Sequence, residues 1–221
     1  MLRVHTPLQT FIKVSTFHLA KEGMDWQASF YMTKNRLEAF SDGVLAIIIT
    51  IMVLAFKSPT GSDWHALNQV MPIFLSYALS FIYIAIYWNN HHHLLHATKT
   101  INGAIMWANM HLLFWLSLIP FVTGWMAEGN NRTIPRACYG VVLLLSAIAY
   151  TILQNLIVVH HGKNSALARV LGKDIKGKIS LLLYVIGIGL AFVHPLIADA
   201  CYILVALIWI IPDKRLEKVI Y

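Results

Sequence analysis

RLEAFSDGVLAIIITIMVLAF, residues 36–56, is the stretch that decides the fold class. Its last fourteen residues carry no charge, whereas its first seven include Arg36, Glu38 and Asp42. A helix needs about 20 residues to cross the hydrocarbon core of a bilayer, so the stretch predicts a membrane-spanning helix. Two features of this helix need an explanation: the ionisable groups at its start and Thr50 in its middle.

The composition agrees with a membrane protein. The chain has 221 residues, of which 58% are hydrophobic and 12% are charged, whereas a soluble domain has about 25% charged residues. The net charge of +7 does not indicate nucleic-acid binding, because Lys and Arg lie in clusters between apolar runs, as in membrane proteins. Two cysteines, Cys138 and Cys201, do not make a disulfide framework.

Six apolar segments are close to the length of a membrane span, and we place them at 36–56, 68–90, 103–126, 136–159, 176–193 and 195–211. The last two are short, and His194-Pro195 between them predicts a tight hairpin. Fourteen of the seventeen Lys and Arg residues then fall on one side of the membrane, which is predicted to be the cytoplasmic side. Both termini lie on that side, which requires an even number of spans. The predicted fold is an all-α integral membrane protein with one six-span domain over residues 32–215.

The two ends of the chain are expected to lie outside the membrane domain. Residues 1–31 hold no apolar run long enough for a signal peptide. Met32, the first residue of MTKNRLEAF, resembles a natural translation start. We expect a disordered extension or a mis-assigned start codon, with an amphipathic surface helix as the alternative. Residues 212–221 are charged and are expected to form a solvated cytoplasmic tail.

The first span has two distinct faces. Because a helix turns 100° per residue, residues spaced alternately by three and four share a face. One such stripe contains Gly43, Ile47, Thr50 and Leu54, whereas Ser41 and Asp42 fall roughly opposite. A hydroxyl in a membrane helix commonly bonds to the carbonyl four residues earlier. A hydroxyl between bulky apolar residues on one stripe also suits a narrow permeation path.

The polar groups of three spans are expected to meet at the cytoplasmic end. Span 2 ends in YWNNHHHLLH and span 3 begins with WANMH, and spans 1, 2 and 3 alternate in direction. A carboxylate facing lipid is costly, so Asp42 should point into the protein. We predict a buried network in which Asp42 and Arg36 meet donors of spans 2 and 3, namely Trp88, Asn90, His91, His92 and Asn109.

The histidine run also raises the question of a metal or haem site. His92 and His96 are four residues apart, which places them on one helix face. However, three consecutive imidazoles point in three directions, and no cysteine or carboxylate cluster accompanies them. We therefore expect a hydrogen-bonding role for at least one histidine, with no metal and no cofactor. Histidine chemistry permits pH sensing, although the sequence does not specify it.

These residues resemble a known family. Arg36-x-x-x-Phe40-Ser41-Asp42, followed by GVLAIIITIMVL, resembles the signature of the transmembrane protein 175 family, the lysosomal potassium channels and their prokaryotic relatives. YALSFIYIAIYWNNHH and WANMHLLFWLSLIPF resemble the second and third spans of that family. The similarity covers most of residues 33–215 and is mainly hydropathic in spans 4 to 6.

The resemblance implies a homotetramer of six-span subunits, with the first helices lining a central pore that conducts potassium in preference to sodium. It implies an apolar constriction at Ile47, a hydroxyl layer at Thr50 and a further apolar layer at Leu54. It also implies that the signature residues orient the pore helix. No TVGYG filter is expected in this family, and the sequence contains none.

The leading interpretation is a potassium channel of the plasma or inner membrane. Its expected partners are the lipid bilayer, potassium ions and further copies of itself, with no nucleic acid and no enzymatic activity. The alternative is a proton- or cation-coupled secondary transporter that uses Asp42 and the span-2 histidines as a relay. Transporters usually contain inverted repeats and broken mid-membrane helices, and neither is evident in the sequence.

Overall fold

The structure is a computed structural model whose description covers residues 34–56, 58–128, 132–162, 168 and 174–211. The predicted N-terminal extension and the predicted tail lie outside the described residues. The described chain is helical throughout its regular structure, as the sequence predicts. Its helices are α1 (Lys34–Leu54), α2 (Trp64–His96), α3 (Gly103–Ser117), α4 (Ile119–Glu128), α5 (Thr133–His161), α6 (Ile175–Ala191) and α7 (Pro195–Ile210).

Side-chain caps fix the starts of three helices. The side chain of Asp63 accepts a hydrogen bond from the Ala66 N–H at the start of α2. Asn102 caps α3 and Asp174 caps α6 in the same way. Each cap satisfies a backbone N–H that has no partner inside its own helix. The boundaries of these helices therefore follow from short polar side chains that precede apolar runs.

Four stretches of the described residues are long and apolar enough to cross a membrane: α1, α2, α3 together with α4, and α5. α6 has 17 residues and α7 has 16, which gives lengths of about 24–26 Å against roughly 30 Å of hydrocarbon. The tight hairpin predicted at His194-Pro195 is present, since His194 precedes α7 and Pro195 is its first residue. The count of six spans stays a prediction, because α6 and α7 are short.

The third predicted span is interrupted, which differs from the continuous helix expected over 103–126. α3 ends at Ser117 and α4 begins at Ile119. The cause is Pro120, which has no N–H to donate and whose ring clashes with the carbonyl four residues earlier. The Leu118 carbonyl accepts the next helical hydrogen bond, from Val122 N at 3.2 Å.

α5 is the centre of the bundle and packs against α3, α4, α6 and α7. Its close approach to α7 depends on glycine. A Cβ at Gly140 would collide with the Tyr202 hydroxyl, and a Cβ at Gly187 of α6 would lie 2.7 Å from Tyr202 Cε1. Tyr202 is fully buried between these two glycines, so small residues on two helices accommodate one large ring on a third.

α1 lies at one side of the bundle and packs on α2, α3 and α4. Its buried residues recur at helical spacing: Leu37, Ser41, Leu45, Ile48 and Met52. One face of the helix is therefore covered by the rest of the chain. This arrangement places the polar start of α1 against the end of α2 and the start of α3.

Candidate functional site

The face of α1 that points away from the bundle carries the stripe singled out from the sequence. Ile47 is 58% exposed and Leu54 is 81% exposed. Gly43 and Thr50 are exposed as well, and a Cβ at Gly43 would meet no atom within 4 Å. The stripe lies about 150° around the helix from the buried stripe, by the 100° advance per residue. The structure thus leaves the whole Gly43 stripe uncovered by its own chain.

Thr50 makes a local hydrogen bond. Its hydroxyl donates to the Ile47 carbonyl at 2.8 Å, three residues back rather than the four expected for such a bond. The single hydroxyl proton is used in this contact, so the lone pairs of the oxygen remain available. Thr50 therefore presents an oxygen acceptor, rather than a donor, on the exposed stripe.

A buried chain of hydrogen bonds joins α2, α3 and α1. The Ser41 hydroxyl donates to the Leu37 carbonyl at 2.8 Å, and Asn109 Nδ2 donates to Ser41 Oγ at 2.9 Å. His91 Nε2 lies 2.6 Å from Asn109 Oδ1. Because the amide oxygen can only accept, Nε2 must carry the proton. The imidazole, amide and hydroxyl form one relay in this order, with all three residues buried.

Two acidic residues of α1 contact the end of α2. Trp88 Nε1 donates to Asp42 Oδ1 at 2.9 Å. His92 Nδ1 lies 3.0 Å from Glu38 Oε1. Lys34 at the start of α1 donates to the His96 carbonyl at 2.9 Å. The start of α1 is thus attached to α2 over more than two turns.

The remaining predicted site residues lie apart from this cluster. Asn90 is buried, but its side chain donates to the Ile86 carbonyl at 2.8 Å and does not reach α1. Arg36 is exposed, and the hydrogen bonds and ion pairs among the described residues do not include it. Phe40 is half-exposed. Arg36 and Phe40 extend the uncovered stripe towards the start of α1.

Sequence reasoning missed an ion pair at the other end of the bundle. Arg136 Nε, at the start of α5, lies 2.9 Å from Asp199 Oδ2 on α7. Nearby, Tyr139 and Ser80 hydroxyls lie 3.0 Å apart, and Ser80 Oγ lies 2.7 Å from Thr123 Oγ1. A useful signal was present, since Asp199 is an acidic residue within an apolar segment and such a residue needs a partner.

A small, partly open pocket lies beside α2. Its volume is about 40 Å³, and its lining includes Tyr87, Tyr150, Asp174 and Tyr184. One water needs about 10–15 Å³ by this measure, so the pocket accommodates about three or four waters. Across the described ranges, no group of three or more His, Cys, Asp or Glu side chains could hold a metal ion.

The described helices form a multi-pass helical membrane protein. It is similar to the crystal structure of a lysosomal potassium-selective channel TMEM175 homolog from Chamaesiphon minutus, with a TM-score of 0.71 and 24% sequence identity. The similarity covers 82% of this chain and 98% of that chain. The profile of the family described as endosomal/lysosomal potassium channel TMEM175 matches residues 36–120. The chain belongs to the TMEM175 family, as the RxxxFSD stretch predicts.

Individual relatives support this assignment. A potassium channel of Chryseobacterium sp. (strain P1-3) is 57% identical over 187 residues, which cover 85% of this chain and 97% of the relative. A potassium channel of Streptomyces collinus is 35% identical over 52% of this chain and 60% of its own length. The endosomal/lysosomal proton channel TMEM175 of Homo sapiens is 33% identical over 38% of this chain and 19% of its own. These relatives are ion channels and not enzymes.

Proposed function

We propose that four copies of this chain form a potassium-selective channel in the plasma or inner membrane. Each copy contributes six spans, and both of its termini face the cytoplasm. The distribution of Lys and Arg supports this orientation. The potassium channel of Chryseobacterium, which aligns over nearly its whole length, supports potassium as the permeant ion. No cofactor is part of the proposal.

The pore wall is formed by α1, through Gly43, Ile47, Thr50 and Leu54. The observation that carries the proposal is the division of α1 into one covered face and one uncovered face. In a single copy, the uncovered face combines large apolar side chains with one hydroxyl. Four such faces around an axis make a closed ring without any further helix. Ile47 would form an apolar constriction and Leu54 a second apolar layer.

Thr50 supplies the contact for the ion. Because its proton is donated to the Ile47 carbonyl, the oxygen lone pairs are free to face a cation. Four such oxygens would replace part of the hydration shell of potassium at the level of Thr50. The anchored residues Ser41 and Asp42 would hold α1 at the rotation that keeps these oxygens in the pore.

Reversal potentials in planar bilayers test this function, with potassium on one side and sodium on the other. Thr50→Val removes the oxygen and keeps the shape, so we expect the reversal potential to move away from the potassium equilibrium value. A tenfold loss of selectivity corresponds to about 59 mV for a monovalent ion. Thr50→Ser keeps the hydroxyl and is the matched control. An unchanged reversal potential in Thr50→Val would remove Thr50 from the selectivity layer.

Proton permeation is the second candidate function, because the vertebrate relatives are named proton channels. The same bilayers decide it when a pH gradient replaces the potassium gradient. Unitary current steps also separate a channel from the coupled transporter considered above, whose flux would need a counter-ion gradient. The channel names of the relatives give the transporter no support.

A further inference from the structure

Two side-chain contacts, one helical turn apart, join the start of α1 to α2. Glu38 contacts His92 at 3.0 Å, and one turn later Asp42 accepts from Trp88 at 2.9 Å. The Trp88 and His92 rings stack on each other, with centroids 5.9 Å apart and an interplanar angle of 20°. The two contacts with α1 are therefore adjacent on the surface of α2 and are linked by the stacked rings.

The Asp42–Trp88 and Glu38–His92 contacts differ in chemistry. The indole N–H of Trp88 does not titrate in the physiological range, so this donor is available to Asp42 at every pH there. The imidazole of His92 can bond to Glu38 as a neutral ring or as a cation, and the bond from the cation is the stronger one. The His92 side chain is 41% exposed and that of Glu38 is 18% exposed. Of the two side chains, His92 is therefore the one more accessible to solvent.

The charged surroundings of His92 are mixed. On α1, the Glu38 carboxylate is in direct contact, and Asp42 is held one turn away through Trp88. The His93 and His96 rings lie 5.8 Å and 6.0 Å from the His92 ring. Among the described residues, the titratable and charged groups at this end of the bundle are Lys34, Arg36, Glu38, Asp42, His91, His93, His96, Lys99, His111, His160, His161, Asp174, Lys176 and Lys178. Among the described carboxylates, Glu38 is the one in hydrogen-bond contact with His92.

We propose that Glu38 and His92 are positioning residues whose contact strengthens when His92 is protonated. The pH at this end of the bundle then sets how firmly the start of α1 is held. Glu38 lies at one of the unspecified positions of the RxxxFSD stretch, and sequence reasoning gave it no role. The inference rests on the proposed function only for its effect on current. The contact itself can be tested without a pore.

The unfolding midpoint of the full-length protein in detergent tests the contact. His92→Gln keeps a donor towards Glu38 but cannot gain a charge. Carboxylates are ionised at both pH 6 and pH 8, whereas an ordinary histidine changes its charge between these values. We expect the midpoint of the wild type minus that of His92→Gln to be about 2–4 °C larger at pH 6 than at pH 8. His96→Gln, an exposed neighbour without a carboxylate contact, is the control and should keep the wild-type response.

Potassium currents then test the consequence for α1. We expect the current of the wild type and of His96→Gln to depend on the pH of the bath at this end. His92→Gln and Glu38→Gln should lose most of that dependence.

An equal midpoint difference at pH 6 and pH 8 would overturn the protonation of the contact. A pH-dependent current that is unchanged in His92→Gln would overturn the effect on α1. A midpoint response without any potassium current would instead count against the proposed channel and leave the contact standing.

Discussion

At the scale of single residues, the relay through Ser41 matters most, because each member has one possible role. The Ser41 hydroxyl donates its single proton to the Leu37 carbonyl, so its oxygen can only accept the hydrogen bond from Asn109. Asn109 must then accept from His91. Nothing in this relay can rotate without leaving a buried polar group unpaired, which costs about 1–3 kcal/mol. This chain of hydrogen bonds fixes the rotation of α1 about its own axis.

Ser41→Ala removes the acceptor of Asn109 Nδ2. We expect the free energy of unfolding to fall by about 1–3 kcal/mol and the midpoint in detergent to fall by about 2–4 °C per kcal/mol. Ser76→Ala is the matched control, since Ser76 makes the same bond to the carbonyl four residues earlier but is only partly buried and has no second partner among the described residues. Equal midpoints for the two variants would mean that the relay adds nothing to stability.

At the scale of helices, the packing of α5 against α7 depends on the absence of a Cβ at Gly140. A Cβ there would lie 2.7 Å from Tyr202 Cζ and 2.8 Å from Ile188 Cγ1. Neither neighbour is the end of a flexible chain. The two helices would have to move apart, and the Tyr202 hydroxyl would lose its contact with the Arg136 carbonyl, at 3.2 Å.

Gly140→Ala should therefore destabilise the protein by about 1–3 kcal/mol, as overpacking of a core usually does. Gly189→Ala on α6 has no atom within 4 Å of the new Cβ. It should be neutral or stabilising, because alanine favours a helix by up to about 1 kcal/mol over glycine. Thermal unfolding in one detergent measures both. If Gly140→Ala melts at or above the wild type, Tyr202 does not occupy the space described.

The helices also show what the sequence could predict. Hydropathy and periodicity identify each helix and both faces of α1, because these depend on neighbouring residues only. The break at Leu118 could have been read from Pro120. The pairs Glu38–His92 and Arg136–Asp199 could not be predicted from the sequence. Such pairs depend on the rotation and axial position of helices that are distant in sequence. The same limit explains why Asn90, whose amide bonds to the Ile86 carbonyl, was included in the predicted network with α1.

At the scale of the whole molecule, one copy has an open face where four copies would have a closed wall. Ile47, Thr50 and Leu54 meet no side chain of their own copy across the proposed axis. The properties of the pore therefore belong to the oligomer, and the narrowest point is expected where four Ile47 side chains approach each other.

Ile47→Ala should widen this point and let water enter, which would raise the unitary conductance or produce a leak. Single-channel recording measures it, with protein whose mass in detergent is that of an oligomer of the 25.0 kDa chain. Ile203→Ala is the control, because Ile203 is also about half-exposed but lies on α7, whereas α1 packs mainly on α2, α3 and α4. Identical conductance in Ile47→Ala and the wild type would exclude Ile47 from the constriction.

The relay that ends at Leu37 has one more consequence, which concerns the movement of protons. A proton can hop along hydrogen-bonded groups only if each group can accept on one side and release on the other. The last acceptor here is a backbone carbonyl of α1, and it has no proton to pass on. A proton taken up at His91 thus has no onward route towards the uncovered face of α1. The cluster thus holds α2 and α3 to α1 and gives His91 no proton path to the face that we propose lines the pore.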